Sequence, residues 1–183
     1  MAAGSAAPLD LKKCIRSIPD FPKPGIMFRD ITPLLADPRA FSEAVRRMAE
    51  PYKKGSVDVV IGAESRGFIF AAAMALVLEA GFVPIRKKGK LPFKTASVSY
   101  DLEYGTDTLQ MHTDAVSAGT RVLMVDDLLA TGGTMAACCE MVRKAGGKVL
   151  GIEFLIELGF LKGRQKLAGY PVRSQIVFDN ELP

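Results

Sequence analysis

Residues 121–134, Arg-Val-Leu-Met-Val-Asp-Asp-Leu-Leu-Ala-Thr-Gly-Gly-Thr, set two adjacent carboxylates between a β-prone apolar run, Val122 to Val125, and a turn rich in hydroxyls and glycine. The order reads as strand, loop and helix N-terminus, with the helix predicted over Met135 to Lys144. Where a strand hands over to a helix, unpaired N–H groups and the positive end of the helix dipole converge, and that makes an anion site. In the turn Ala130 to Thr134, Gly132 and Gly133 let the backbone come close to a ligand, while Thr131 and Thr134 add hydroxyl donors. Asp126 and Asp127 would repel a phosphate, so they need a neighbour that wants acceptors, such as a sugar diol or a bound Mg²⁺. A ribose 5-phosphate has both a phosphate and a diol.

A second junction of the same kind follows Val57 to Ala63, where Glu64-Ser65-Arg66-Gly67 leads into an apolar helix predicted over Phe68 to Ala80. It places Arg66 beside another helix start, suited to a second anionic group. After a strand at Phe82 to Arg86, the run Arg86-Lys87-Lys88-Gly89-Lys90 puts four cations in five positions and makes an electropositive rim.

Other elements must carry these groups. Leu11, Ile15 and Ile18 recur at helical spacing and predict a short amphipathic helix over residues 9–18, ended by Pro19. Asp20 to Pro33 is too rich in proline and glycine for a regular element and too apolar for a solvated linker, so it reads as a rigid wall suited to a flat ligand. Asp37-Pro38 starts a helix whose apolar face is Phe41, Ala44, Val45, Met48 and Ala49. Residues 95–113 alternate as two antiparallel strands joined near Tyr100 to Thr106, a hairpin able to act as a flap that keeps water from a reacting anomeric carbon. Strands at Lys148 to Ile156 and Arg173 to Phe178 complete an alternation that argues for one α/β domain with a mostly parallel central sheet flanked by helices, its ligand sites at the strand carboxyl ends.

The apolar strand, Asp-Asp, three spacers and Thr-Gly-Gly-Thr resemble the phosphoribosyl-diphosphate motif of the type I phosphoribosyltransferases. Phe-Pro-x-Pro-Gly-Ile-x-Phe-Arg-Asp-Ile resembles the base-covering hood of the adenine-specific branch of that family, and Leu102-Glu103-Tyr104-Gly105 its catalytic flap. The resemblance covers most of residues 19–167. It implies a hood over residues 9–35, a flap over 95–113, and transfer of a phosphoribosyl group to a purine, adenine first, giving AMP and pyrophosphate. Asp126 and Asp127 would hold the ribose hydroxyls, directly or through Mg²⁺ carried mainly by the substrate, and Ala130, Thr131, Gly132, Gly133 and Thr134 the 5′-phosphate. Ser65, Arg66, Arg86, Lys87 and Lys90 would meet the pyrophosphate, with Arg86 and Lys90 serving a neighbouring subunit of a homodimer. Met27, Phe28, Arg29 and Leu158 would face the base. Arg66 and Lys87 would take part in catalysis together with Glu103 and Tyr104, Glu103 either assisting proton movement or positioning the flap. One departure stands out: Phe93-Lys94 follow Leu91-Pro92 where many relatives place glycine, which puts the hinge or reach of the flap in doubt. A hypoxanthine, guanine or xanthine enzyme is the same-fold alternative. A non-catalytic sensor of phosphoribosyl diphosphate would carry a nucleic-acid-binding module, for which no room is evident.

Composition narrows the field further. The chain has 183 residues, 49% of them hydrophobic, and a net charge of +4, too mild and too dispersed to demand a nucleic-acid partner. Neither a P-loop nor a Gly-x-Gly-x-x-Gly string occurs. The single histidine, His112, precludes a multi-histidine metal site and is expected to be structural, in a strand with Leu109 and Met111. The apolar run Phe68 to Leu78 is shorter than the roughly 20 residues a membrane span needs. Residues 1–8 lack a basic start and an apolar core, so they read as a disordered leader rather than a secretory signal, and the cytoplasm is the expected compartment. Three cysteines in no metal or disulfide spacing read as small core residues.

Overall fold

The computed structural model describes residues 9–101 and 106–181, which divide into two compact units, one running to Ala44 with Glu181, the other Val45–Asn180.

In the first unit the amphipathic helix expected over residues 9–18 is not formed. Leu11–Cys14 make only a turn of 3₁₀ helix, capped by the Asp10 side chain accepting from Lys12 N, and the chain then becomes strand β1, Arg16–Ile18. A helix of that length is marginal without packing on both turns, and the strand finds a better partner in β2, Phe28–Asp30. The two pair antiparallel, with Arg16 opposite Asp30 and an ion pair between them at 3.7 Å. Regular structure therefore begins inside the stretch that its prolines suggested would be irregular. Asp30 also starts the next element, accepting from Thr32 N at 2.9 Å and from the Thr32 hydroxyl at 2.8 Å ahead of the short helix α1, Thr32–Ala36. Asp37 then caps α2, Pro38–Ala49, as its sequence predicts, accepting from Arg39 N at 2.8 Å.

The second unit is one seven-stranded sheet. In chain order its elements are β3 (Val59–Ala63), α3 (Gly67–Leu78), β4 (Gly81–Lys87), β5 (Thr95–Asp101), β6 (Thr106–His112), β7 (Arg121–Leu129), α4 (Gly133–Lys144), β8 (Lys148–Leu158) and β9 (Val172–Phe178). The strand order is β5-β6-β4-β3-β7-β8-β9. Strands β3, β4, β7, β8 and β9 run parallel, while β5 and β6 form the antiparallel hairpin expected of residues 95–113. Alternation along β3 assigns the faces. Ile61 and Ala63 enter the core shared with Met135, Cys138 and Val142 of α4. Gly62 faces α3, where a Cβ would come within 2.8 Å of the Ala71 Cβ, so the close seat of that helix depends on glycine. Helix α3 ends at Leu78, short of the predicted Ala80, with Glu79 left-handed, and Gly81 opens β4 instead of stopping the helix. All three cysteines are free, Cys138 and Cys139 buried in the α4 core. Among the described residues no helix is long and apolar enough to cross a membrane.

Candidate active site

Strand β7 runs four residues beyond Val125, so Asp126 and Asp127 are strand residues rather than the start of the loop. Their pairing with β8, Asp126 opposite Phe154 and Leu128 opposite Ile156, carries the ladder on to Leu129. The loop proper is Ala130 to Gly132. Gly132 has φ +80° and is the N-cap of α4, with no side-chain cap. The first N–H groups of a helix have no acceptor within it, so here they stay directed into the cleft. Asp126, Ala130, Thr131, Gly132, Gly133 and Thr134 line that cleft of about 90 Å³, closed below by Phe154. The cleft is thus lined by the turn whose spacing predicts an anion cradle.

The two acids divide. Asp126 Oδ1 accepts from Asp127 N at 2.9 Å and lies against the start of α3, where a Cβ on Gly67 would come within 2.6 Å of it. Asp127 is buried, with Oδ2 2.9 Å from Nε of Arg66 in an ion pair not aligned as a hydrogen bond. Burial pushes the Asp126 carboxyl well up, and the neighbouring Asp127 adds to the effect. Burial raises Asp127 as well, with the Arg66 guanidinium working against it. The cationic support of Arg66 thus falls directly on Asp127. The structure brings Arg66, expected at the pyrophosphate, onto a carboxylate expected at the ribose. One ion pair thus joins the two junctions.

Around the second junction Glu64 organises the cations. Its carboxylate accepts from Lys87 N at 2.9 Å and lies 3.3 Å from Arg86 Nε, and these interactions, the Lys87 hydrogen bond first, hold it below the usual carboxylate range. The Glu64–Ser65 peptide is cis. Arg86 also donates to Lys90 O at 3.2 Å, closing the turn. The Lys87 ammonium reaches Asp107 of β6 at 3.3 Å, and Gln110 accepts from Gly89 N at 2.8 Å while donating to Thr95 and Ser97. The basic rim is thereby fastened to the root of the hairpin. On the other side of the hairpin the Tyr100 hydroxyl accepts from Thr134 Oγ at 3.3 Å, joining β5 to the cradle. Glu103 and Tyr104, together with residues 1–8, lie outside the described residues. Phe93 packs edge-on against His112 at 6.0 Å, so the residue that departs from glycine serves as a packing group at the hairpin base.

Leu158, half-buried, is the last residue of β8. In the first unit Phe28 meets Phe21 edge-on at 5.0 Å, leaving an aromatic surface next to Met27, while Arg29 is buried and donates to Ser17 Oγ. Sequence reasoning missed Glu64, Asp107, Gln110 and Tyr100, whose roles arise from partners on other strands. Glu64 alone carried a signal, as an acid directly beside Ser65-Arg66.

A parallel sheet with an anion cradle at one strand end and a basic rim at another is the arrangement of a phosphoribosyltransferase. The sequence profile described as the phosphoribosyl transferase domain matches residues 33–176, and the chain belongs to that family. Within it, the chain is 59% identical over 170 residues to adenine phosphoribosyltransferase of Kosmotoga olearia, covering 93% of this chain and 100% of that one. The crystal structure of adenine phosphoribosyltransferase from Thermoanaerobacter pseudethanolicus superposes with a TM-score of 0.88 at 52% identity, covering 92% of this chain and 98% of that one. The Saccharomyces cerevisiae enzyme, complexed with an imino-altritol bisphosphate and adenine, superposes with a TM-score of 0.85 at 39% identity, covering 90% and 96%. The adenine phosphoribosyltransferases are thus the branch to which the chain belongs.

Proposed function

We propose that this chain is a purine salvage enzyme that transfers the 5-phosphoribosyl group of phosphoribosyl diphosphate to adenine, giving AMP and pyrophosphate. The observation that carries this reading is the cradle Ala130 to Thr134, with Asp126 in its lining and Asp127 ion-paired to Arg66 of the adjoining junction. Adenine as the base is supported by the names of the relatives and by the adenine bound to the yeast protein.

As the C1–pyrophosphate bond breaks, its electron pair leaves with the pyrophosphate and positive charge develops on the ribose. The lone pair of an adenine nitrogen closes on C1 from the opposite face, and the N–H proton that the imidazole ring of the base gives up leaves to solvent or to the departing pyrophosphate. Backbone N–H groups of the cradle fix the 5′-phosphate, and Asp126 and Asp127 accept from the ribose hydroxyls. Arg66 and Lys87, with Ser65, Arg86 and Lys90 around them, balance the charge of the departing pyrophosphate, the largest contribution expected of a preorganised site. Leu158 offers an apolar edge to the base.

A magnesium ion fits these residues. Asp126 lines the cleft, buried beside a second carboxylate that raises it further, and stands to gain from a cation, whereas Asp127 already faces the guanidinium of Arg66. Among the described residues no cluster of three metal-ligating side chains occurs, so the substrate would supply most of the ligands. When bound, Mg²⁺ neutralises charge on the pyrophosphate.

The chain acts as a homodimer in the cytoplasm. Ile69, Leu76 and Val77 form one stripe along α3, with Leu76 82% exposed, and exposed Phe82 stands beside Phe68; this apolar face supports association. Three free cysteines support a reducing compartment.

The test is direct. The protein is incubated with phosphoribosyl diphosphate, Mg²⁺ and each of adenine, hypoxanthine, guanine and xanthine, and the nucleotide formed is measured. AMP from adenine is the expected result. Conversion of another purine alone moves the assignment to that base, and conversion of none overturns the enzyme reading.

A further inference from the structure

The helix start at Gly132 has no side-chain cap, and the cradle is backed by main chain. The segment Gly163–Leu167, a 3₁₀ turn after β8, lies backbone to backbone against it. A Cβ on Gly163 would come within 2.2 Å of Ala130 O, and a Cβ on Gly132 within 2.4 Å of Gly163 O. Leu167 roots the far end of the segment in the core beneath α4. The near end is fixed by Arg164. Its Nε donates to Glu157 Oε1 at 2.7 Å and one terminal nitrogen to Glu157 Oε2 at 2.6 Å, a two-pronged pair. The same nitrogen reaches Ser174 Oγ at 3.3 Å and the other donates to Val172 O at 2.7 Å, so one guanidinium ties the turn to β8 and β9 together. Glu157 is buried at the carboxyl end of β8, immediately before Leu158, and its Arg164 hydrogen bonds hold it below the usual carboxylate range. A planar five-donor fork can satisfy this set of acceptors, and a lysine cannot.

We propose that Arg164, clamped on Glu157, is a positioning residue for the phosphate cradle: it presses Gly163 onto Ala130 and Gly132 and so keeps the N–H groups at the start of α4 spaced for a phosphate monoester. The inference rests on the reading of Ala130 to Thr134 as the 5′-phosphate site. Arg164 itself touches no substrate. Its effect belongs to the phosphate end of the ligand and leaves the base alone.

The experiment compares wild type, Arg164→Lys and Arg164→Ala in calorimetric titrations with ribose 5-phosphate, which carries the phosphate and diol but neither pyrophosphate nor base. Steady-state kinetics then give separate KM values for phosphoribosyl diphosphate and adenine. Arg164→Ala is expected to weaken ribose 5-phosphate at least about tenfold and to raise KM for phosphoribosyl diphosphate similarly, with KM for adenine within about twofold. Arg164→Lys, which keeps the charge but loses the fork, is expected to fall between them and serves as the measured variant if the alanine protein does not fold. Unchanged ribose 5-phosphate affinity in the variants overturns the proposal, as does a loss shared equally by adenine, the pattern of a clamp that only stabilises the fold. Failure of wild type itself to bind ribose 5-phosphate overturns the underlying site reading, a result distinct from either.

Discussion

The loop Ala130 to Gly132 and the loop Glu64 to Arg66 each join a parallel strand to the helix that follows it, and each is suited to an anion. They are held by different means. The first is shaped by backbone: a positive-φ Gly132, a helix start without a side-chain cap, and a second glycine, Gly163, seated at contact distance. The second is shaped by charge: Glu64 gathers Arg86 and Lys87, and Arg66 leans on Asp127. Backbone packing gives one fixed geometry, whereas side-chain ion pairs can be exchanged for contacts with a ligand, at small cost where the cation is exposed, as in Lys87, and at a larger one where the acid is buried, as in Asp127. A group that stays bound throughout the transfer suits the first kind of site, and a group that leaves suits the second.

The difference can be tested by breaking each side in turn. The largest effect is expected from Gly132→Ala and Gly163→Ala, each of which forces a Cβ into a carbonyl oxygen. Turnover should fall at least about a hundredfold, roughly 2.7 kcal/mol of transition-state stabilisation, with a measurable drop in Tm. Near-normal kinetics in either variant would remove the backbone half of the comparison. Asp127→Asn should keep the fold and lower kcat by about tenfold or more, since it weakens both the ribose contact and the Arg66 pair; an unchanged rate would sink the diol assignment. Arg66→Ala should raise KM for phosphoribosyl diphosphate by about tenfold while adenine binding changes little. Equal loss for both ligands would count against the pyrophosphate role.

The smallest effect concerns pH. Glu64 titrates below its ordinary value in the folded chain, so its contribution is present above the unfolded value of 4.5 and is lost as pH falls below that. Hydrogen-exchange protection, corrected for intrinsic rate, should therefore decline at residues 64–67 and 86–90 on going from pH 6 to below 4. Glu64→Gln should remove that decline there and leave untouched any decline at residues 130–134, behind which Glu157 titrates in its own pair with Arg164. An effect of Glu64→Gln on the pH dependence of both loops would show that the two are not held separately.

Much of this was legible in the chain because it is local. The alternation of apolar runs with glycine-rich turns places the parallel sheet, and Asp-Asp with Thr-Gly-Gly-Thr places the cradle. The Asp37-Pro38 helix start is legible for the same reason, since a cap is read from adjacent residues. Where partners are distant, the sequence is silent. Nothing in Leu9 to Ile18 announces that Arg16 will find Asp30 across a strand pair, so an apolar spacing that also fits a helix misleads. The β7 ladder carries through two acids because Asp126 pairs opposite Phe154, a register set by tertiary packing. Their motifs place Arg66 and Asp127 at different parts of the ligand, and only the fold reveals that they touch. The hydrogen bonds of Gln110 and Tyr100 belong to the same class.

The contact between Gly132 and Gly163 has an evolutionary side. Ordinarily a residue that grows at one position of a contact can be accommodated when its neighbour shrinks, and lineages drift through such paired exchanges. Here both neighbours are already the smallest residue, and what each would strike is a main-chain oxygen that no substitution can trim. Neither position has a compensating partner, so the two should vary independently of each other and hardly at all.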